Sequence, residues 1–144
     1  MTLHLIKLCV GVDSVGDLAD WQTKKLAQLK RKRKRKPLEL THVTRMWPKR
    51  EAELLKGGSL YWVIKGQIAV RQRLLELRDV IKNGTPHCAL VLDPKLIATE
   101  RRFHRPFQGW RYFDPKNAPR DLSRARGAAL PEELQAELVN LGLL

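Results

Sequence analysis

Residues 54–77 have the sequence LLKGGSLYWVIKGQIAVRQRLLEL, and this stretch decides the fold. The glycines at 57 and 58 indicate a turn before residues 60–64, the run richest in aromatic and β-branched residues and therefore the clearest strand. Lys65 and Gly66 form a two-residue loop before a second apolar-rich run over residues 67–77. This pattern predicts a β-hairpin in the middle of a sheet.

The apolar phase shifts within the second run of the hairpin. Ile68 and Val70 have one parity, whereas Leu75 and Leu77 have the other. Two alternations joined out of phase predict a β-bulge near residues 71–74, and the curvature of a bulge helps a sheet to close.

Shorter elements are predicted on both sides of the hairpin. Further strands are expected over residues 2–12, 38–47, 88–92, 97–103 and 107–113. Residues 49–56 and a segment beginning at Pro131 are predicted helices, and residues 114–127 are predicted to form an ordered surface loop. Because the middle strands are joined by short turns, the pattern favours an α+β fold with a curved, mainly antiparallel, partly closed sheet and flanking helices.

The first helix is predicted to begin at Ser14. Ser14 and Asp17 form a capping-box-like pair at its start. The helix is expected to continue into the basic tract and to end before Pro37, because the residue before a proline avoids the α region. Its apolar face is predicted to contain Val15, Leu18, Leu26 and Leu29, with Trp21 close to it.

The charge of the chain favours polyanionic partners. The 144 residues fit a single domain, and 28 basic residues against 15 acidic ones give a net charge of +13. Without one basic tract, 21 basic residues still face 15 acidic ones, so the rest of the chain is basic too. The tract is expected to be mobile, because adjacent like charges repel. It consists of Lys30, Arg31, Lys32, Arg33, Lys34, Arg35 and Lys36.

Localisation is predicted to be cytoplasmic. The sequence contains no apolar run of the roughly 18 residues that a membrane helix needs. Cys9 and Cys88 each lie in an apolar run, which is typical of buried free thiols in a reducing compartment.

The sequence shows no catalytic motif, and no metal or cofactor is expected. The four histidines are scattered, and none forms an HxxxH pair or accompanies a CxxC pair. Ser59 follows two glycines but precedes a strand, which differs from the strand–turn–helix elbow of hydrolases. No glycine-rich loop ends in Lys followed by Ser or Thr, as a nucleotide P-loop would.

Basic residues interleave with aromatic residues in several regions of the chain. Arginine and lysine suit phosphates, and exposed aromatic rings stack on unpaired bases, so the pattern indicates a nucleic-acid-binding module that prefers RNA. Ordered arginines beside strands are expected to supply selectivity, and the tract only unspecific attraction. The residues expected to bind nucleic acid are Arg45, Lys49, Arg50, Trp62, Lys65, Arg71, Arg73, Arg105, Trp110 and Arg111.

The chain resembles a family of short alphaproteobacterial proteins known only as a domain of unknown function. The resemblance covers LHLIKLCVGVDSVGDLADWQ at residues 3–22, THVTRMWPKREAELLKGGSLYWVIKGQIAVRQ at residues 41–72 and RPFQGWRYFDPKNAPRDL at residues 105–122. It implies no particular activity.

A second resemblance concerns layout. The order of Pro48, Lys49 and Arg50, the glycine pair, the strand at residues 60–64 and the following turn and strand is similar to the PUA, ASCH and EVE group of small pseudo-barrels. That resemblance implies a PUA-like pseudo-barrel that binds RNA or a modified base.

Two other functions remain open. One is a small enzyme acting on a nucleotide or modified base, which a buried carboxylate or histidine beside Trp62 or Trp110 would favour. The other is an adaptor that uses its basic tract on the ribosome or on a membrane.

Overall fold

Strands dominate the computed structural model, which describes residues 2–32, 39–122 and 132. Within these residues the strands are β1 (His4–Leu8), β2 (Leu40–Thr44), β3 (Ser59–Ile64), β4 (Gln67–Lys82), β5 (Thr85–Leu92), β6 (Ile97–Phe103) and β7 (Trp110–Phe113). The helices are α1 (Val15–Lys32) and α2 (Glu51–Leu54), and a 3₁₀ turn covers Pro115–Asn117.

The strands form one mixed sheet in the order β2-β5-β4-β3-β1-β7, with β6 also paired to β4. Among the described pairings, β1 and β3 are parallel and the others are antiparallel. Helices and a mainly antiparallel sheet agree with the predicted α+β class. The described strands do not close into a barrel, so the partial closure expected from the sequence is not found among them.

The predicted central hairpin is present as β3 and β4. Lys65 and Gly66 have φ values of 49° and 76°, the two left-handed positions of a type I′ turn. Asn83 and Gly84 repeat this geometry between β4 and β5, with φ values of 52° and 74°. Glycine and asparagine adopt positive φ at low cost, so the second turn follows from both of its residues, whereas the first relies on Gly66 and holds Lys65 in a conformation that lysine rarely adopts.

The predicted bulge lies slightly beyond residues 71–74. The register of β4 against β5 shifts between Leu74 and Glu76. Leu74 and Leu77 are buried, whereas Leu75 between them is 50% exposed. The extra residue keeps Val70, Leu74 and Leu77 in the larger cluster. A second register shift, at Ala69, places Ile68 in the smaller cluster although it has the same parity as Val70. In this way β4 pairs with β3 and β6 in its first half and with β5 in its second half.

The sheet buries apolar side chains on both faces. The larger cluster includes Leu5, Leu60, Trp62 and Leu90, and α1 adds Leu18 to it. The opposite face has a smaller cluster formed by Ile6, Tyr61, Val63, Ile68 and Phe113. Successive residues of β1 and β3 alternate between the two clusters, as the period of a strand requires.

The apolar stripe of α1 contains a buried glutamine that was not predicted. Trp21 lies beside the stripe, lines the same pocket as Leu18 and is 52% exposed, whereas Gln22 is 5% exposed. Gln22 lies four residues after Leu18 and four before Leu26, so it belongs to the same helical stripe. At the start of the helix the Ser14 hydroxyl accepts the Asp17 N–H at 3.0 Å, as predicted.

Several predictions fall outside the described residues. They are the mobility of Arg33, Lys34, Arg35 and Lys36, the end of the loop after residue 122, and the final helix from Pro131, of which only Glu132 is described. None of the described helices has both the length and the apolar character needed to span a membrane.

Candidate ligand pocket

A pocket of about 390 Å³ lies between α1, β2 and the end of β1. The chain leaves β1 at Leu8 and turns at Gly11, whose φ of 81° suits glycine. The resulting loop forms one side of the pocket, and strands β3 and β5 contribute its base. We call this the Trp62 pocket; it is lined by Lys7, Leu8, Cys9, Val10, Gly11, Val12, Leu18, Trp21, Gln22, Leu40, Thr41, His42, Val43, Trp62 and Leu92.

Trp62 forms part of the pocket wall and is held rigidly. Its side chain is 4% exposed, and its indole N–H donates to Oε1 of Gln72 at 2.8 Å. The His42 ring meets the indole at 90°, with the ring centroids 5.1 Å apart. A ligand can reach Trp62 only through the pocket, so this tryptophan is not an open stacking platform on the surface.

Gln72 connects the pocket wall to α1. Its Oε1 also accepts an N–H of Gln22 at 2.8 Å, and its own N–H groups donate to Oε1 of Gln22 and to the carbonyl of Asp93, each at 3.0 Å. Because the Trp62 indole can only donate, Oε1 of Gln72 must face it, and the orientation of both amides follows. The described contacts use one of the two N–H groups at Nε2 of Gln22.

His42 carries an unsatisfied polar atom in the wall of the pocket. Its Nε2 is buried and has no hydrogen-bond partner among the described residues. Burial, followed by the charges of Lys7, Lys25 and Lys82, lowers the pKa of His42 to about 4. The ring is therefore neutral at neutral pH. An unpaired buried polar atom costs about 1–3 kcal/mol, and a bound ligand can recover that energy.

One lysine lines the pocket and a second lies beside it. Lys7 lines it, and Nζ of Lys25 donates to the carbonyl of Thr41 at 2.7 Å. Burial lowers the pKa of both lysines. None of the lining residues, all within the described part of the chain, is acidic. Partly dehydrated ammonium groups without a carboxylate nearby favour an anionic ligand.

Cys9 is not set up as a nucleophile. Burial, opposed by the charge of Lys7, raises the pKa of its thiol to about 11, so the unreactive protonated form prevails at neutral pH. Across the described residues, no group of three or more His, Cys, Asp or Glu side chains is placed to hold a metal ion.

Arg71 and Arg73 lie away from the pocket. Their partners on β3 are Tyr61 and Ser59, and the Tyr61 side chain belongs to the smaller cluster on the opposite face. Arg71 makes a two-point ion pair with Asp121 at 2.8 and 2.7 Å and also donates to the Ser59 hydroxyl at 2.9 Å. Arg73 is exposed. The structure thus separates these two arginines from Trp62.

A second group of predicted residues meets around Tyr112 on β7. The Tyr112 hydroxyl accepts the backbone N–H groups of Lys49 and Arg50 at 2.8 and 3.2 Å. The Arg50 guanidinium lies 5.6 Å from the Tyr112 ring centroid and pairs with Glu53 at 2.8 Å. Trp110 packs edge-on against Tyr112, with centroids 4.9 Å apart, and donates to the carbonyl of Met46.

The other predicted residues are dispersed over the surface. Arg111 lies over the Phe107 ring at 5.4 Å, and Lys65 is 3.9 Å from Asp13. Arg45 and Arg105 are exposed. Lys30 and Arg31 are exposed on the last turns of α1, and Lys32 ends that helix.

Gln22, Gln72, His42, Lys7 and Lys25 were not predicted as site residues. For Gln22 a signal existed, because a glutamine interrupts the apolar stripe of α1 between Leu18 and Leu26. The other residues come together only when β2 packs beside α1. No local sequence pattern predicts that packing.

Comparison with known proteins supports the resemblance to a domain of unknown function. A family model described as protein of unknown function (DUF1489) matches residues 5–144, and the chain belongs to that family. No curated protein and no solved structure matches the chain.

Proposed function

We propose that this member of the DUF1489 family is an RNA-binding protein that takes one unpaired nucleotide into the Trp62 pocket. One observation carries the proposal: Nε2 of His42 is buried without a described partner in the wall of a pocket that also contains a tryptophan ring. A turn of the imidazole that brought this atom to the cavity would let it bond a polar ligand, and the tryptophan ring in the wall suits a flat one.

The shape and polarity of the pocket fit a nucleobase. A volume of about 390 Å³ falls in the range of small-molecule sites. Sequence-specific RNA recognition commonly uses unstacked bases that contact aromatic rings and form hydrogen bonds along their edges. The remaining N–H of Gln22 can bond such an edge, and so can neutral His42 once its ring turns Nε2 toward the cavity.

The charge around the pocket fits the rest of the nucleotide. Lys7 and Lys25 flank the cavity, and the net charge of the chain is +13. Phosphate neutralisation by lysine and arginine supplies much of the affinity in most nucleic-acid complexes. The basic tract then adds attraction, whereas the pocket supplies selectivity.

The layout similarity to PUA, ASCH and EVE proteins points in the same direction. These pseudo-barrels often bind RNA or a modified base, and we include a PUA-like relationship in the proposal. The proposed protein binds RNA in the cytoplasm, which is the localisation predicted from the sequence.

A small enzyme acting on a nucleotide or modified base is the second candidate. The buried histidine beside Trp62 is the arrangement that favours it. A neutral imidazole can accept a proton, but a pKa of about 4 makes His42 a weak general base. Mass spectrometry of RNA incubated with the protein distinguishes the two, because binding alone leaves the mass of every nucleoside unchanged.

Fluorescence anisotropy with a short mixed-sequence RNA tests the proposal. The labelled RNA is offered as a single strand and as a duplex. We expect the single strand to bind more tightly, and His42→Ala to weaken that binding by about fivefold to tenfold, the value of one hydrogen bond. His87→Ala is the control, because His87 lies on β5 outside the pocket lining. Equal binding of the duplex, or a His42→Ala variant that binds like the wild type, would contradict the proposal.

A further inference from the structure

The mouth of the Trp62 pocket has an exposed aromatic ring. Trp21 belongs to the pocket lining, yet its side chain is 52% exposed, so it stands where the cavity opens to solvent. Val10, which also belongs to the lining, is 89% exposed. Large apolar side chains grouped at the edge of a cavity indicate a binding surface.

Lys25 connects this exposed ring to the pocket interior. Its Nζ lies 5.0 Å from the centroid of the Trp21 ring and donates to the carbonyl of Thr41, which also lines the pocket. An ammonium group has three donors, and this hydrogen bond uses one of them. A positive charge is therefore held between the inside of the pocket and its mouth.

The rest of α1 continues this positive surface away from the pocket. Lys24 and Arg31 are exposed on the turns that follow Trp21, on roughly the same side of the helix. At 1.5 Å per residue, Arg31 lies roughly 15 Å along the helix from Trp21. A strand of RNA that leaves the pocket past Trp21 would therefore run along basic side chains. The helix has no acidic residue after Trp21.

We infer that Trp21 forms a second nucleotide subsite, on which the base next to the one in the pocket stacks while Lys25 contacts the phosphate between them. The inference rests on the proposed function and extends the ligand from one nucleotide to two. Every base has a flat face, so stacking on tryptophan accepts any of them. Sequence preference therefore comes from the pocket, and Trp21 adds affinity without adding preference.

Calorimetric titration with defined nucleotides tests this subsite. The four ribonucleoside 5′-monophosphates first identify the base that the pocket prefers. The dinucleotide of that base is then compared with its two analogues, each of which has one abasic ribose and keeps both phosphates. These probes separate loss of a base from loss of charge.

Trp21→Ala, Trp21→Phe and Phe103→Ala are the variants. Phe103 is 60% exposed on β6 and serves as an exposed aromatic outside the pocket lining. In the wild type, removal of the stacked base should weaken the dinucleotide by about 5-fold to 150-fold, the range for base–aromatic stacking. Trp21→Ala should abolish most of the advantage that the intact dinucleotide has over the analogue lacking the stacked base, whereas Trp21→Phe should retain most of this advantage and Phe103→Ala all of it.

Three results would overturn the inference. The dinucleotide could bind no better than the analogue lacking the stacked base, or Trp21→Ala could leave its advantage intact. In both cases the mononucleotides would still bind, so the proposed function would still stand. If no mononucleotide, dinucleotide or RNA binds, the proposed function fails and this subsite fails too.

Discussion

The carboxamides of Gln22 and Gln72, 50 positions apart in the chain, hydrogen-bond to each other twice, at 2.8 and 3.0 Å. Gln22 is 5% exposed and Gln72 is fully buried. Through the bond from the Trp62 indole to Gln72, this pair fixes α1 against the wall of the pocket. Stability and the shape of the pocket therefore depend on the same polar contacts.

Gln72→Leu should be strongly destabilising. Leucine has roughly the volume of glutamine, but it leaves the Trp62 indole, the Gln22 amide and the Asp93 carbonyl without their partner. Each buried polar group left unpaired costs about 1–3 kcal/mol. We expect urea denaturation to show a loss of about 3 kcal/mol. Gln28→Leu, an exposed position on α1, is the control and should change stability by less than about 0.5 kcal/mol. Similar values for the two variants would contradict the assigned role of Gln72.

His42 should make stability depend on pH. Burial and the charges of Lys7, Lys25 and Lys82 lower its pKa from 6.5 to about 4. Between these values the unfolded chain binds a proton that the folded protein does not, so stability falls as the pH is lowered from 6.5 to about 4. The loss from this group is on the order of 3 kcal/mol.

Urea denaturation across this pH range isolates the contribution of His42. His42→Phe should show a smaller loss of stability on acidification than the wild type, whereas Gln28→Leu, which changes no titratable group, should keep the wild-type slope. Carboxylates and His4 also titrate at acid pH, but they are common to all three proteins. If His42→Phe and the wild type had the same pH dependence, the assigned burial of this imidazole would be wrong.

Gly58→Ala should be much more costly than an ordinary glycine substitution. A Cβ at this position would lie 2.2 Å from the carbonyl oxygen of Leu3 and 2.3 Å from that of Leu54. Both atoms belong to the backbone, so relief requires a shift of whole segments, and we expect a loss above about 3 kcal/mol. Gly16→Ala is the matched control, because Cβ there meets only Ser14 Oγ at 3.6 Å. It should be neutral or stabilising by up to about 1 kcal/mol. Thermal unfolding of both variants measures the difference.

Arg71→Gln and Arg73→Gln should differ in stability. Arg71 is 22% exposed and paired with Asp121, whereas Arg73 is exposed. We expect a loss of about 1–2 kcal/mol for Arg71→Gln and less than about 0.5 kcal/mol for Arg73→Gln. Because both side chains lie away from the Trp62 pocket, neither variant should change which RNA sequence is preferred. If either variant preferred a different RNA sequence, these arginines would contribute to selectivity, as the sequence pattern predicted.

Local elements of the fold could be predicted from the sequence. The turn at Lys65 and Gly66 follows from the backbone conformation that glycine permits, and the strand before it follows from its aromatic and β-branched residues. The bulge in β4 could be predicted from a shift in the phase of the apolar residues. The structure places it at Leu75, one residue beyond the predicted range of 71–74. These features depend on neighbouring residues, so periodicity detects them.

The candidate site could not be predicted in the same way. Gln22 and Gln72 are hydrogen-bonded although they lie 50 positions apart in the chain. The pKa of His42 is low because β2 packs beside Trp62 and because three lysines lie near the ring. The parallel pairing of β1 with β3 is also non-local. Arg71 was expected to face a ligand, but Asp121 occupies its guanidinium through a contact equally distant in sequence. Long-range contacts of this kind produce no periodic pattern in the sequence, so periodicity cannot predict them.

An NMR titration of the full-length protein with single-stranded RNA tests the central claim most directly. The indole N–H signal of Trp62, the ring signals of His42 and the backbone amides of residues 9–12 report on the pocket from its different sides. If an unpaired nucleotide enters the Trp62 pocket, these signals should shift together and saturate at the same RNA concentration. If RNA binds but shifts are confined to residues 30–36 while the pocket signals stay unmoved, binding is only electrostatic attraction to the basic tract and the claim is wrong.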